Sequence, residues 1–302
     1  MSEPALSFER VRRSFGRTVA LDDVSLAVEP GTVLGVIGRN GAGKTTALRL
    51  AHGVLYPDAG TVRVLGLDPV VSGHEVRTRA SLLAEESALY PWMTVAEILR
   101  FAAALHPRWD KALAESLRAR LDLDPAARIK TLSRGTRAKV SLVLSVACRP
   151  EILFLDDPTA GLDPLVRREV LEGILDAVPA EGGTVVYASH LVHDIERVAD
   201  RVAIMDRGRV RLEGSLDAIK ARIRRVTAVF DGEAPRAVAL PGQIDAAAEG
   251  RVLRVVGEGA NGELEAVLVG LGAREVRFET LPLEEILVAL LREGNAAEAN
   301  HA

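Results

Sequence analysis

The sequence predicts an α/β protein: a mainly parallel sheet covered by helices on both faces, followed by a smaller α+β unit. Three observations carry this. Short apolar runs at residues 33–37, 152–155 and 184–187 recur with helical stretches between them, the pattern of strands buried on both faces. From about residue 87 to 132 the periodicity is helical throughout, so this stretch reads as a helical insertion into the alternating core. After about Gly214 the alternation weakens, which puts the large domain at 1–215 and the small one at 216–302.

Taken in order, residues 5–8 and 20–28 read as strands, the second with alternating apolar positions and a stop at Pro30-Gly31. The run 33–37 enters a glycine-rich turn and a helix from Lys44, and 61–64 suggests a further strand. Thr94-Val-Ala-Glu97 makes a capping box, with Val95, Ile98, Leu99, Ala102 and Leu105 at helical spacing. Leu113, Leu117 and Leu121 mark a second helix, and Ser133 caps a third that runs to about Cys148. Helices over 165–178 and 191–199 then separate strands at 152–155, 184–187 and 201–205. In the small domain the Gly/Ala/Pro-rich stretch 232–250 reads as loose chain. Strands at 252–256 and 275–278 and helices at 262–271 and 283–292 follow, with a frayed tail from Asn295.

The bulk numbers exclude several classes. Of 302 residues, 48% are hydrophobic and 26% charged, as in ordinary globular proteins rather than disordered or fibrous ones. The formal charge of -4 and the short Arg pairs 12–13, 167–168 and 224–225, interleaved with acids, argue against a nucleic-acid partner. The single cysteine, Cys148, sits in an apolar run and reads as packing; it permits no intramolecular disulfide. The N-terminus lacks the pattern of a signal peptide, and no apolar run nears the roughly 18–20 residues of a membrane helix. The expected place is the cytoplasmic side of the membrane, with any membrane role exercised through another subunit.

Two motifs carry the chemistry. Gly38-Arg-Asn-Gly-Ala-Gly-Lys44-Thr45 fits G-x-x-x-x-G-K-[ST] between a strand and a helix. Such a loop curls backbone N–H groups around phosphates at the positive end of the helix. Lys44 then supplies a cation for the outer phosphates and Thr45 a hydroxyl for Mg²⁺. Gly38, Asn40, Gly41, Gly43, Lys44, Thr45 and Thr46 are the candidate nucleotide contacts. The second motif, 151–157, is an apolar strand ending in Asp156 and Asp157, at the sheet edge where α/β folds bind ligands. Asp156 is the candidate metal holder, and Asp157 would orient an attacking water.

Leu132-Ser-Arg-Gly-Thr136, some twenty residues before Asp156, resembles the LSGGQ signature of ABC (ATP-binding cassette) ATPases. Phe15 resembles that family's adenine-stacking aromatic, Ala160-Gly-Leu-Asp163 its D-loop, and His190 its switch histidine. Pro158-Thr159 completes its D-E-P-T run with one change. The resemblance covers about residues 5–215. It implies a P-loop NTPase (RecA-like) core with an N-terminal antiparallel β subdomain and an inserted helical subdomain. It also implies that ATP and Mg²⁺ bind, and that Ser133, Gly135 and Asp163 complete the site of a second subunit in a homodimer or heterodimer. A separate membrane-spanning permease would receive the motion. The stretch 89–97 and Arg134 are similar to the branch serving ABC-2 type exporters.

Four positions depart from the family pattern. Asp157 replaces the usual catalytic Glu, which predicts slow hydrolysis. Thr136 replaces Gln and Arg134 replaces Gly in the signature, and the Q-loop Gln is Glu85. Glu85 keeps an oxygen for Mg²⁺ or water and so remains a candidate catalytic and metal-binding residue. The alternative function is a soluble ABC ATPase acting as an ATP-timed clamp on a cytosolic partner. A P-loop kinase or GTPase switch has no use for residues 132–136 or His190.

Overall fold

Backbone pairing in the N-terminal part follows the alternating apolar pattern, but over a longer stretch than the sequence predicts. Strands β1 (Leu6–Phe15) and β2 (Thr18–Val28) pair antiparallel, and β1 also pairs with β4 (Ala59–Val64), giving a three-stranded sheet β2-β1-β4. β1 runs on to Phe15 through register shifts that interrupt its alternation after Phe8, which is why only residues 5–8 read as strand. The computed structural model describes residues 3–85, 89–177, 182–235, 240–259 and 262–299.

The central sheet is built from β3 (Val33–Ile37), β5 (Ala80–Leu83), β6 (Ile152–Asp156), β7 (Thr184–Ser189), β8 (Arg201–Asp206) and β9 (Arg209–Ser215), in the order β5-β6-β7-β3-β8-β9. The pairs β5–β6, β6–β7, β7–β3 and β3–β8 are all parallel. β3, β6 and β7 are buried at every position, as strands covered on both faces must be. Helices α1 (Lys44–Ala51), α2 (Gly73–Arg79), α6 (Pro164–Ala177) and α7 (Val192–Glu196) lie between these strands in the chain. Because β6, β7 and β3 are neighbours, the segments leaving their carboxyl ends open side by side.

The insertion holds α3 (Val95–Leu105) and α4 (Lys111–Arg120), and α5 (Arg134–Val146) leads back toward β6. Thr94 and Glu97 form both halves of a capping box at α3, which satisfies two of the donors a helix start leaves open. The expected start of the insertion at 87 lies outside the described residues. One close approach matters later: a Cβ on Gly35 in β3 would come within 2.2 Å of Ile195 Cγ2 on α7.

The chain divides into two units, Met1–Leu212 and Glu213–Ala302. The second has α8 (Leu216–Arg222), then β10 (Ile223–Phe230), β11 (Gln243–Glu249), β12 (Val252–Glu258), α9 (Gly262–Gly270), β13 (Ala273–Thr280) and α10 (Leu283–Ala299). Its strands form an antiparallel sheet β11-β12-β10-β13. Two expectations need correcting here. The loose stretch 232–250 contains β11, whose Ala246-Ala-Ala248 core carries weak strand propensity yet pairs with β12. The tail from Asn295 is helical as far as Ala299, its alanines being the strongest helix formers; 300–302 lie outside the described residues.

Candidate functional site

The glycine-rich turn between β3 and α1 is shaped by backbone that only glycine accepts cheaply. Gly43 precedes α1 at φ +104, and a Cβ there would lie 2.5 Å from the Ala20 carbonyl. Lys44 follows as a buried side chain, 6% exposed, whose ammonium donates to the Gly38 carbonyl at 2.7 Å and the Arg39 carbonyl at 3.2 Å. Burial pushes its pKa down, opposed by the charges of Asp157, Asp156 and Glu85. The loop is thus held open around its own cation.

Asp156 ends β6 only 4% exposed and accepts the Thr45 hydroxyl at 2.8 Å. Burial pushes its pKa up, against the Thr45 hydrogen bond, which lowers it. A buried carboxylate in contact with a hydroxyl oxygen suits Mg²⁺, which takes one or two protein oxygens and fills the remaining positions with water and phosphate. No cluster of three or more His, Cys, Asp or Glu side chains able to hold a metal occurs among the described residues. Thr45 and Asp156 would hold the ion, with Glu85 on the same cleft.

Asp157 begins the turn after β6 in left-handed backbone, φ 44. Its Oδ1 accepts Ser189 Oγ at 2.8 Å and the His190 backbone N–H at 3.2 Å, and lies 2.9 Å from His190 Nδ1. Ser189 ends the neighbouring strand β7, so the parallel pairing itself brings the acid and the histidine together. Sequence reasoning missed Ser189 because the strand was read only to Tyr187; the all-buried run in fact continues through it. Behind these groups Thr159 donates to buried Asp194 at 2.9 Å and lies 3.2 Å from Tyr187.

One cleft of about 410 Å³ collects most of the expected residues: Phe15, Asn40, Gly41, Gly43, Lys44, Thr45, Thr46, Glu85, Asp157 and His190 line it. Phe15 is 46% exposed, with the Arg13 guanidinium 4.8 Å from its ring centroid. Gly38 sits at the loop's start, its carbonyl taken by Lys44.

Ser133, Gly135 and Asp163 do not line that cleft. Ser133 caps α5, accepting the Thr136 N–H at 3.1 Å, with the Thr136 hydroxyl 2.8 Å away. Asp163 accepts the N–H groups of Leu165 and Val166 at 3.1 Å each and so caps α6. Both helices therefore start from side chains that face outward.

This geometry agrees with similarity to known proteins. A profile described as ABC transporter matches residues 21–160. The daunorubicin resistance ATP-binding protein DrrA3 of Streptomyces coeruleorubidus is 38% identical over 226 residues, which cover 73% of this chain and 71% of that one. The chain belongs to the ABC transporter ATP-binding family. A second relative in the family, Nod factor export ATP-binding protein I of Paraburkholderia xenovorans, is 34% identical over 73% of this chain and 74% of its own length. A solved ATP-binding subunit of an ABC transporter, 27% identical, matches 72% of this chain and 92% of its own with a TM-score of 0.66. The core is accordingly that of a P-loop NTPase, and its family hydrolyses ATP. No helix among the described residues is long and apolar enough to cross a membrane.

Proposed function

We propose that this chain is the ATP-hydrolysing subunit of an exporter, closing as a homodimer or heterodimer around Mg-ATP and driving a separate membrane permease from the cytoplasmic face. The observation that carries the reading is an incomplete site. The cleft gathers the phosphate loop, Asp157 and His190, with Asp156 bonded to Thr45 at its base. The exposed hydroxyl of Ser133 and the carboxylate of Asp163 lie outside that cleft. A second subunit would bring its own Ser133, Gly135 and Asp163 to complete it. Export is supported by relatives named for drug resistance and Nod factor export. An exposed aromatic group in the insertion supports a permease contact. Tyr90, Trp92 and Phe101 are exposed, with Tyr90 ring centroids 5.2 Å from Trp92 and 5.5 Å from Phe101, the kind of apolar patch that marks a docking site.

In this reading Lys44 exchanges its loop carbonyls for the outer phosphates, and Asp157 orients the attacking water while His190 stays hydrogen-bonded to it. The ion at Thr45 and Asp156 would supply charge neutralisation to the phosphates. Aspartate reaches one methylene less far than glutamate, and a displacement of about 1 Å can cost around a hundredfold in rate. Turnover is therefore slow, and the closed dimer long-lived. Single-turnover hydrolysis tests the rate: Asp157→Glu should be faster, and an equal or slower variant means the site is built around aspartate. Light scattering with Mg-ATP tests the closure. The parent should dimerise and Ser133→Arg should not, while a melting curve for that variant accounts for the lost helix cap, worth about 1 kcal/mol. A dimer that persists in Ser133→Arg refutes the signature interface.

A further inference from the structure

Two of the four departures from the family pattern meet in space. They are Glu85, which the sequence resemblance reads as replacing a glutamine, and Arg134, which it reads as replacing a glycine. Their charged groups lie 3.7 Å apart, both about half exposed. Glu85 lines the nucleotide cleft and also a second cleft of about 360 Å³, shared with Arg134, Arg137 and Pro158. Glu85 thus forms part of the partition between the two, with Arg134 on the side of the second cleft. Room for the guanidinium comes from the D-loop: a Cβ on Gly161 would lie 2.6 Å from Arg134 Nη1.

The charge balance of the cleft explains why such a pair is needed. Asp156, Asp157 and Glu85 all act on Lys44, and Arg49 also acts on Asp156, so the carboxylates still outnumber the cations where a polyanion must bind. Asp156 has the Thr45 hydroxyl and the expected ion, and Asp157 has Ser189 and His190. Glu85 has Arg134.

We propose that Arg134 is a positioning residue for nucleotide binding: paired with Glu85 of the same chain, it holds that carboxylate away from the phosphates, so the two departures form one charge-compensated unit. This rests on the reading of the cleft as an ATP site. Arg134 opens α5, but the cap is Ser133, and glutamine is a good helix former, so Arg134→Gln keeps the helix.

Calorimetry of Mg-ATP binding to the full chain tests the pair. Arg134→Gln should weaken binding by about two- to fivefold, the range of an exposed ion pair. Arg134→Lys should retain it. Glu85→Gln removes the charge but keeps the side-chain oxygen credited to the ion, so it should bind at least as tightly as the parent, and the double variant should match Glu85→Gln. The deficit of Arg134→Gln should shrink as salt approaches ~1 M, where screening acts within about 3 Å. A double variant as weak as Arg134→Gln, or a salt-independent deficit, overturns the inference, because Arg134 would then act through the helix rather than through Glu85. A parent that does not bind Mg-ATP overturns the site reading and this inference with it, whereas a binding parent with additive variants overturns this inference alone.

Discussion

The two units of this chain bury different things. Every buried polar or charged residue among those described lies in the first unit: Lys44, Ser141, Ser145, Asp156, Thr159, Thr184, Ser189 and Asp194. The core of the second unit is apolar throughout, with Val226, Phe230, Leu253, Val255, Leu264 and Leu268 among its members. Its charges pair on the outside, as in Arg274–Asp231 and Arg277–Glu275. Burying a polar group costs free energy unless it is satisfied, and Lys44, Asp156, Thr159, Ser189 and Asp194 cluster in or behind the proposed nucleotide cleft. Under the proposed function, the contrast separates a unit that gives up stability for chemistry from one whose described core is apolar.

The largest expected effect breaks the comparison if it goes the wrong way. Lys44→Ala should lose two charge-assisted hydrogen bonds to phosphate at ~1.5–3 kcal/mol each, at least about a hundredfold in Mg-ATP affinity by calorimetry. Its melting temperature should change little. A collapsed melt would mean that the buried lysine is structural rather than functional. Next, Leu268→Ala in the fully buried core of the second unit should cost about 2–5 kcal/mol of that unit's stability, with ATP affinity unchanged. A parallel loss of affinity would tie the two units energetically.

The smallest is a pH effect on the first unit. His52 is half-buried edge-on against Phe154, with ring centroids 6.4 Å apart, and loss of solvent together with nearby Arg77 pushes its pKa down to about 4. The fold keeps it neutral, while the unfolded chain takes a proton near 6.5. Stability is therefore full above 6.5 and lost as pH falls toward 4, by on the order of 3 kcal/mol. Thermal melts across that window should show it in the first unit, and His52→Gln should flatten the curve. The described part of the second unit contains no histidine and should melt with little change there. Equal acid sensitivity in both units would remove His52 as the cause.

The legibility of the sequence follows the same division in part, although α2 and β5 of the first unit also went unread. In the first unit, glycine, lysine and acidic residues sit at spacings the phosphate chemistry demands, so the loop at 38–45, the strand ending in Asp156 and the cap at Ser133 could be read directly. Ser189 and the Arg134–Glu85 pair could not, because they depend on which strands and loops become neighbours. In the second unit β10 and β11 were missed. β10 carries Arg224 and Arg225 at its start, and the alanine run of β11, Ala246 and Ala247 exposed and Ala248 half-buried, gives no polar/apolar alternation. Helix α10 outran its expected end because Ala296, Ala297 and Ala299 continue it without an apolar stripe.

The tight seat of Ile195 on Gly35 has a consequence for mutational scanning. β3 delivers the phosphate loop, and α7 follows two residues after His190, so the loop and the histidine are anchored on opposite sides of one contact. There is no space there for even a methyl group. A scan for activity would score Gly35 alongside Lys44 and His190, although it does not line their cleft. Assigning catalytic roles from loss of activity alone would then put a packing glycine in the active site, and only a nucleotide-affinity or melting measurement on Gly35→Ala would sort the two apart.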